Sequence, residues 1–171
     1  MLAELARRGA PFVGLLYAGL MLTADGPKVL EFNCRFGDPE TQAVLPLLES
    51  DLLSLLAAAA GGDLAGAAPV FGSSATVTVV LAAGGYPTEG DRGNEITGLD
   101  EAVASGALVF HAGTALHGER LVTNGGRILA VTGLGETIGR AREVAYDAAG
   151  RIRFAGMRCR SDIAETAAAG A

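Results

Sequence analysis

Tryptophan is absent from this sequence of 171 residues, aromatic residues make up only 5%, and histidine and cysteine occur twice each. Cys34 sits in an apolar stretch and Cys159 between arginines, so no disulfide framework is indicated and a reducing compartment is the expectation. His111 and His117 have no partner at ligand spacing, which argues against a zinc site. Positive charge is scarce too: 13 Lys and Arg stand against 19 Asp and Glu, a net charge of −6, with no basic run. Phosphate neutralisation along nucleic acid needs clustered cations, so no nucleic-acid partner is expected. Small anionic substrates are not excluded, because a few placed cations can hold them. Apolar runs such as 52–60 are too short to span a bilayer, and Glu4 falls where a signal peptide would need an unbroken apolar core. A cytoplasmic protein with no membrane partner is expected.

What is present is enough for a core: half the residues are hydrophobic and 19% are charged. The 25 glycines point to tight turns and close backbone approaches rather than a helical bundle. Residues 2–8 read as the last turns of an amphipathic helix stopped by Gly9, which implies a preceding segment. The apolar run 12–22, the turn formers 23–27 and the alternating stretch 28–36 read as a β-hairpin. Asp38-Pro39-Glu40 has the form of a helix start, interrupted at Pro46, and a second helix is expected from a Ser50 cap to Ala60. Residues 61–73 read as a linker. Beyond it, strands are expected at 75–81, 108–111, 121–123, 128–132 and 151–154, with Asn124-Gly125-Gly126 as a hairpin turn. Helices are expected at 99–105 and 136–149. The class is α+β.

Chemistry concentrates in residues 29–40. Side chains alternate across a strand, so Leu30, Phe32, Cys34 and Phe36 form an apolar face, expected in the core, while Glu31, Asn33 and Arg35 share the other. Side chains two apart on one face can bring a carboxylate and an amide oxygen to a single hard cation, a donor set that suits Mg²⁺. Arg35, next on that face, is placed to stabilise charge on a transferring phosphoryl group or acyl phosphate. The strand then runs through Gly37 into a helix start whose backbone N–H groups suit an anion. A solvated strand face with three incidental polar residues is the plain alternative.

The stretches Tyr17-Ala18-Gly19-Leu20-Met21 and Glu31-Phe32-Asn33-Cys34-Arg35-Phe36-Gly37-Asp38-Pro39-Glu40-Thr41-Gln42 closely resemble the glycinamide ribonucleotide synthetase (phosphoribosylamine–glycine ligase) family of the ATP-grasp superfamily. The segments 82–87, 109–114, 123–127 and 160–163 resemble it in the same order and at about the same spacing. The resemblance implies that residues 1–60 are the end of an ATP-grasp domain, an antiparallel hairpin plus helices. Residues 74–171 would then be the family's small α+β C-terminal domain. It further implies Glu31 and Asn33 as ligands of Mg²⁺ or Mn²⁺, and Arg35, Asp38 and Glu40 facing phosphates and substrates, with Arg35 catalytic. The implied reaction uses ATP, glycine and 5-phosphoribosylamine, and the implied partner is the N-terminal half of such an enzyme, without which this portion is expected to be inactive. Where many ATP-grasp enzymes carry another acidic ligand on the preceding strand, residues 17–20 carry none. A noncatalytic remnant and a partner-binding module are the other readings.

Gly133-Leu134-Gly135-Glu136-Thr137-Ile138-Gly139 imitates a dinucleotide fingerprint, but its spacing is one residue too long and Glu136 would repel a pyrophosphate. A close strand-to-helix turn is the better expectation.

Overall fold

The structure, a computed structural model, describes residues 1–170. Its chain divides into two compact units, the first Met1–Thr41 with Leu48–Gly72 and the second Gln42–Leu47 with the chain from Ser73 onward.

The first unit contains α1 (Leu2–Arg7), β1 (Tyr17–Thr23), β2 (Gly26–Asn33) and α3 (Leu52–Gly61), and α2 (Glu40–Val44) begins in it. β1 and β2 form the expected antiparallel hairpin, closed where Thr23 pairs with Gly26 and the Thr23 hydroxyl donates to the Gly26 carbonyl at 2.7 Å. Tyr17 lies opposite Asn33 and Gly19 opposite Glu31, and a bulge follows, since Leu20 pairs with Val29 and leaves Leu30 unpaired. α2 begins at Glu40, later than the Asp38 cap predicts, with Thr41 N–H donating to the Gly37 carbonyl at 3.1 Å. It passes into a 3₁₀ turn, Leu45–Leu47, around Pro46. Asp51, rather than Ser50, caps α3 by accepting from Ser54 N–H at 2.7 Å, and Gly62 closes it at φ 72°. Ser50 is used elsewhere, its hydroxyl accepting from Val70 N–H at 2.7 Å.

The second unit holds β3 (Ala75–Ala82), β4 (Asp91–Glu95), α4 (Leu99–Ala104), β5 (Leu108–His111), β6 (Thr114–His117), β7 (Arg120–Gly125), β8 (Arg127–Gly135), α5 (Ile138–Ala149) and α6 (Glu165–Ala169). Its strands make two antiparallel three-stranded sheets, ordered β3-β8-β5 and β4-β7-β6. The α+β class is as expected. Asn124-Gly125-Gly126 is not a hairpin turn: β7 and β8, on either side of it, belong to different sheets. The glycines serve a close crossover instead, since a Cβ on Gly113 would meet the Arg127 carbonyl at 2.6 Å and Gly125 Cα at 3.0 Å. Residues 151–154 make a single bridge, Thr97 to Arg153, rather than a strand.

The apolar core lies in this unit. Val77, Val79 and Leu81 of β3 join Leu129 and Val131 of β8 against Ala141, Ala145 and Ala148 of α5, all buried. Each buried Val or Leu contributes about 1.5–3 kcal/mol over an exposed one. The alanine stripe and Gly133 bring helix and sheet into backbone contact, because a Cβ on Gly133 would overlap the Ala141 carbonyl and the Ala145 amide. Thr137 caps α5 by accepting from Arg140 N–H at 3.2 Å, so residues 133–139 form a packed strand-to-helix turn. Among the described residues no helix is long and apolar enough to cross a membrane.

Gly133→Ala is expected to cost about 1–3 kcal/mol through forced overpacking. Gly139→Ala, whose Cβ would meet only the Thr137 hydroxyl at 3.8 Å, should be neutral or stabilising by up to about 1 kcal/mol. Urea midpoints compare the two, and a Gly133→Ala chain as stable as the parent would contradict the packing described.

Candidate functional site

Glu31 and Asn33 project from one face of β2, and the Asn33 amide Nδ2 donates to Glu31 Oε1 at 2.9 Å. Their cross-strand neighbours explain why they meet without crowding. Gly19, buried opposite Glu31, has no side chain, and a Cβ there would stand 3.1 Å from Glu31 Cγ. Tyr17, opposite Asn33, donates its phenol O–H to Glu40 Oε1 at 3.0 Å. The Glu40 side chain in turn lies over Gly37, where a Cβ would overlap its carboxylate. Glycines at 19 and 37 thus leave room for two carboxylates and a phenol at one end of the hairpin.

The hydrogen bond to Glu40 is the main cause that raises the Tyr17 pKa above the ordinary phenol value, with partial desolvation and the charges of Glu40 and Glu31 adding to it. The phenol therefore senses both carboxylates.

Arg35 lies beyond the end of β2, exposed, with Nη1 donating to the Phe36 carbonyl at 2.7 Å rather than reaching Glu31. Asp38 is exposed in the loop that leads to Glu40. The strand's apolar residues are not in a core: Leu30 is 65% exposed and Phe32 42%, and Cys34 is exposed as a free thiol. Leu20, Met21, Leu22 and Val29 of the same hairpin are exposed as well. Alternation identifies an apolar face but not what covers it, and a two-stranded hairpin cannot cover itself.

The donor chemistry fits a hard divalent cation in part. Glu31 supplies a carboxylate, and half a turn of the Asn33 amide would replace its N–H₂ with Oδ1 beside that carboxylate, giving two oxygen ligands and leaving other positions for water or phosphate. No group of three or more His, Cys, Asp or Glu at metal-binding distance exists among the described residues. A second polar cluster, in the other unit, is structural in character. Asp91 accepts from Asn94 at 2.5 Å and Thr123 at 3.0 Å, tying β4 to β7, and these bonds, that from Asn94 foremost, hold its carboxyl below the usual range.

Tyr17, Gly19 and Gly37 are the site residues that the strand-face argument did not single out. The available signal was a lone phenol in an apolar strand, which needs a hydrogen-bond partner.

The chain thus combines a hairpin that carries a carboxylate–amide pair with an α+β unit of two antiparallel sheets. Residues 1–41 match the family described as "Phosphoribosylglycinamide synthetase, ATP-grasp (A) domain". Residues 76–166 match "Phosphoribosylglycinamide synthetase, C domain". The chain belongs to the phosphoribosylglycinamide synthetase family. It is 49% identical over 168 residues to phosphoribosylamine–glycine ligase of Allochromatium vinosum, covering 98% of this chain and 39% of that protein. It is 52% identical over 158 residues to the trifunctional purine biosynthetic protein adenosine-3 of Gallus gallus, covering 92% of this chain and 16% of that protein. The crystal structure of phosphoribosylamine–glycine ligase from Thermotoga maritima superposes with a TM-score of 0.80 at 39% identity, over 94% of this chain and 39% of that one. The chain therefore spans about two fifths or less of the length of these relatives.

Glu40→Gln is expected to bring the Tyr17 titration down toward the ordinary phenol value of about 10, because a neutral acceptor no longer favours the protonated phenol. The linkage has a definite sign: a raised folded pKa adds stability that is present below the unfolded value and lost as pH rises through the folded one. Phenolate absorbance against pH, with Tyr17→Phe to assign the signal, measures it; an unchanged Tyr17 titration in Glu40→Gln would contradict the bond.

Proposed function

We propose that this chain is the C-terminal portion of a cytoplasmic ATP-dependent ligase that joins glycine to 5-phosphoribosylamine, forming ADP and phosphate through glycyl phosphate, in de novo purine biosynthesis. Residues 1–60 would be the end of its ATP-grasp domain, 61–73 a linker and 74–171 its C-terminal domain. The observation that carries the reading is the Glu31–Asn33 pair, held on an uncovered strand face in a chain about half identical to ligases of that name.

Glu31 and Asn33 would hold Mg²⁺ or Mn²⁺, which supplies charge neutralisation on ATP phosphate oxygens when bound. Arg35, whose Nη1 donates to the Phe36 carbonyl, exchanges that acceptor for phosphate oxygens and stabilises negative charge on the γ-phosphoryl group and then on glycyl phosphate. In the first step a glycine carboxylate oxygen bonds to the γ-phosphorus as its bond to ADP breaks; in the second the amine nitrogen of 5-phosphoribosylamine bonds to the glycyl carbonyl carbon and gives up a proton to solvent, while the carbon–oxygen bond to phosphate breaks and phosphate leaves. Asp38 and Glu40 face the substrates from the loop and the first residue of α2, and the Tyr17 phenol fixes the Glu40 carboxylate. The exposed apolar hairpin face fits cover by the rest of an ATP-grasp domain.

Assays for glycinamide ribonucleotide test this directly, with the chain alone and with the remaining N-terminal portion of the Allochromatium ligase supplied in trans. The chain alone should be silent and the mixture active. Glu31→Gln should abolish the restored activity, and Arg35→Ala should lower it by about a hundredfold, on the order of 3 kcal/mol of transition-state stabilisation. Turnover by the chain alone, or full activity with Glu31→Gln, would contradict the proposal.

A further inference from the structure

The two family matches stop at residue 41 and resume at residue 76, so the chain between them is assigned to neither. One piece of it, Gln42–Leu47, packs with the second unit, which the chain then leaves and rejoins only at Ser73. A row of hydroxyls holds that piece. Thr132 follows the buried run Ile128-Leu129-Ala130-Val131 on β8 and is itself fully buried. A buried hydroxyl is costly unless it is bonded. Thr132 Oγ1 donates to the Gln42 carbonyl at 3.0 Å and accepts from Thr78 Oγ1, its register partner on β3, at 2.7 Å. Two residues along β3 on the same face, Thr76 Oγ1 donates to the Ala43 carbonyl at 2.7 Å.

The two carbonyls share a deficiency. An α-helical carbonyl accepts from the N–H four residues on, and a 3₁₀ carbonyl from the N–H three residues on. Gln42 in the first geometry, and Ala43 in the 3₁₀ geometry that the chain takes up at Leu45–Leu47, both look to residue 46. Residue 46 is proline and has no N–H. Thr132 and Thr76 thus donate to the carbonyls that Pro46 does not serve, in a segment too short to hold helical shape by its own bonds.

We propose that Thr76, Thr78 and Thr132 form a docking seat on the second unit whose occupant is the chain's own Gln42–Leu47, recognised through the Gln42 and Ala43 carbonyls. The C-terminal domain is then a composite of residues 42–47 and the chain from Ser73 onward, and a boundary drawn within 61–73 separates the seat from its occupant. The inference concerns this unit alone and holds whichever reaction the chain serves.

The test uses the 171-residue chain in solution and needs no substrate. Hydrogen exchange at the Leu45 and Leu47 amides reports on the segment, and exchange at the Val79 and Val131 amides reports on the core. Valine matches threonine in shape without the hydroxyl, so Thr132→Val should speed exchange at Leu45 and Leu47 by about tenfold or more, with core protection unchanged. Pro46→Ala returns an N–H to residue 46, and in that background Thr132→Val should change segment exchange by less than about threefold, because the Gln42 carbonyl then has a donor within its own helix. Should Thr132→Val fail to fold, Thr76→Val, which deletes only the bond to Ala43, makes the same comparison with and without Pro46→Ala. Segment exchange that stays at the parent rate in a folded valine variant, or an acceleration that persists undiminished beside Pro46→Ala, would overturn the proposal.

Discussion

The backbone contact between α5 and β8 is the constraint from which the second unit is built. It exists because residue 133 has no side chain and because the helix presents Ala141, Ala145 and Ala148 to the sheet. A helix drawn this close fills one face of β8, so the valines and leucines of β3 and β8 that point to the same side are closed off together. The other face of β8 is then free for a different use. Alternation places Thr132 there, beside Thr78 and on the same side as Thr76; Thr132 and Thr76 donate to the Gln42 and Ala43 carbonyls of α2, and the Thr78 hydroxyl bonds that of Thr132.

The hairpin follows a different physical logic. Among the described residues of the first unit only Gly19 and Gly37 are buried, and both are buried at the site rather than in an apolar core. Its polar face is organised by local bonds, Asn33 to Glu31 and Tyr17 to Glu40, while its apolar residues face outward. Such a hairpin has the character of a part, and its relatives, more than twice as long, contain it within larger chains.

Much of this was legible in the sequence where one local rule governs. Turn formers at 23–27 gave the hairpin, the 3.6-residue spacing of Ile138, Ala141, Ala145 and Ala148 gave α5, and strict alternation at 75–81 gave the buried side of β3. Glu31 and Asn33 could be paired because two residues of a strand share a face whatever surrounds it. The failures fall where the rule is not local. Asn124-Gly125-Gly126 has the chemistry of a hairpin turn, but strand partners are chosen over long distances, and here its flanking strands join different sheets. β4, with the sequence Asp-Arg-Gly-Asn-Glu, carries no apolar alternation and is held by pairing with β7 and by the Asp91 cluster. Leu30 and Phe32 read as core because alternation cannot say whether a face is covered. Arg35 read as continuing the strand face, but β2 ends at Asn33 and the chain has turned by then.

The central proposal is that the face bearing Glu31 and Asn33 would hold a hard divalent cation, and paramagnetic mapping tests it most directly. Substoichiometric Mn²⁺ added to the isotopically labelled chain broadens resonances near the bound ion and leaves distant ones sharp. The account predicts selective broadening at residues 17–19, 31–33 and 37–40, abolished by Glu31→Gln, with the turn at residues 23–26, at the other end of the same hairpin, broadened least. Broadening centred on the Asp91 cluster, or a pattern indifferent to Glu31→Gln, would contradict it.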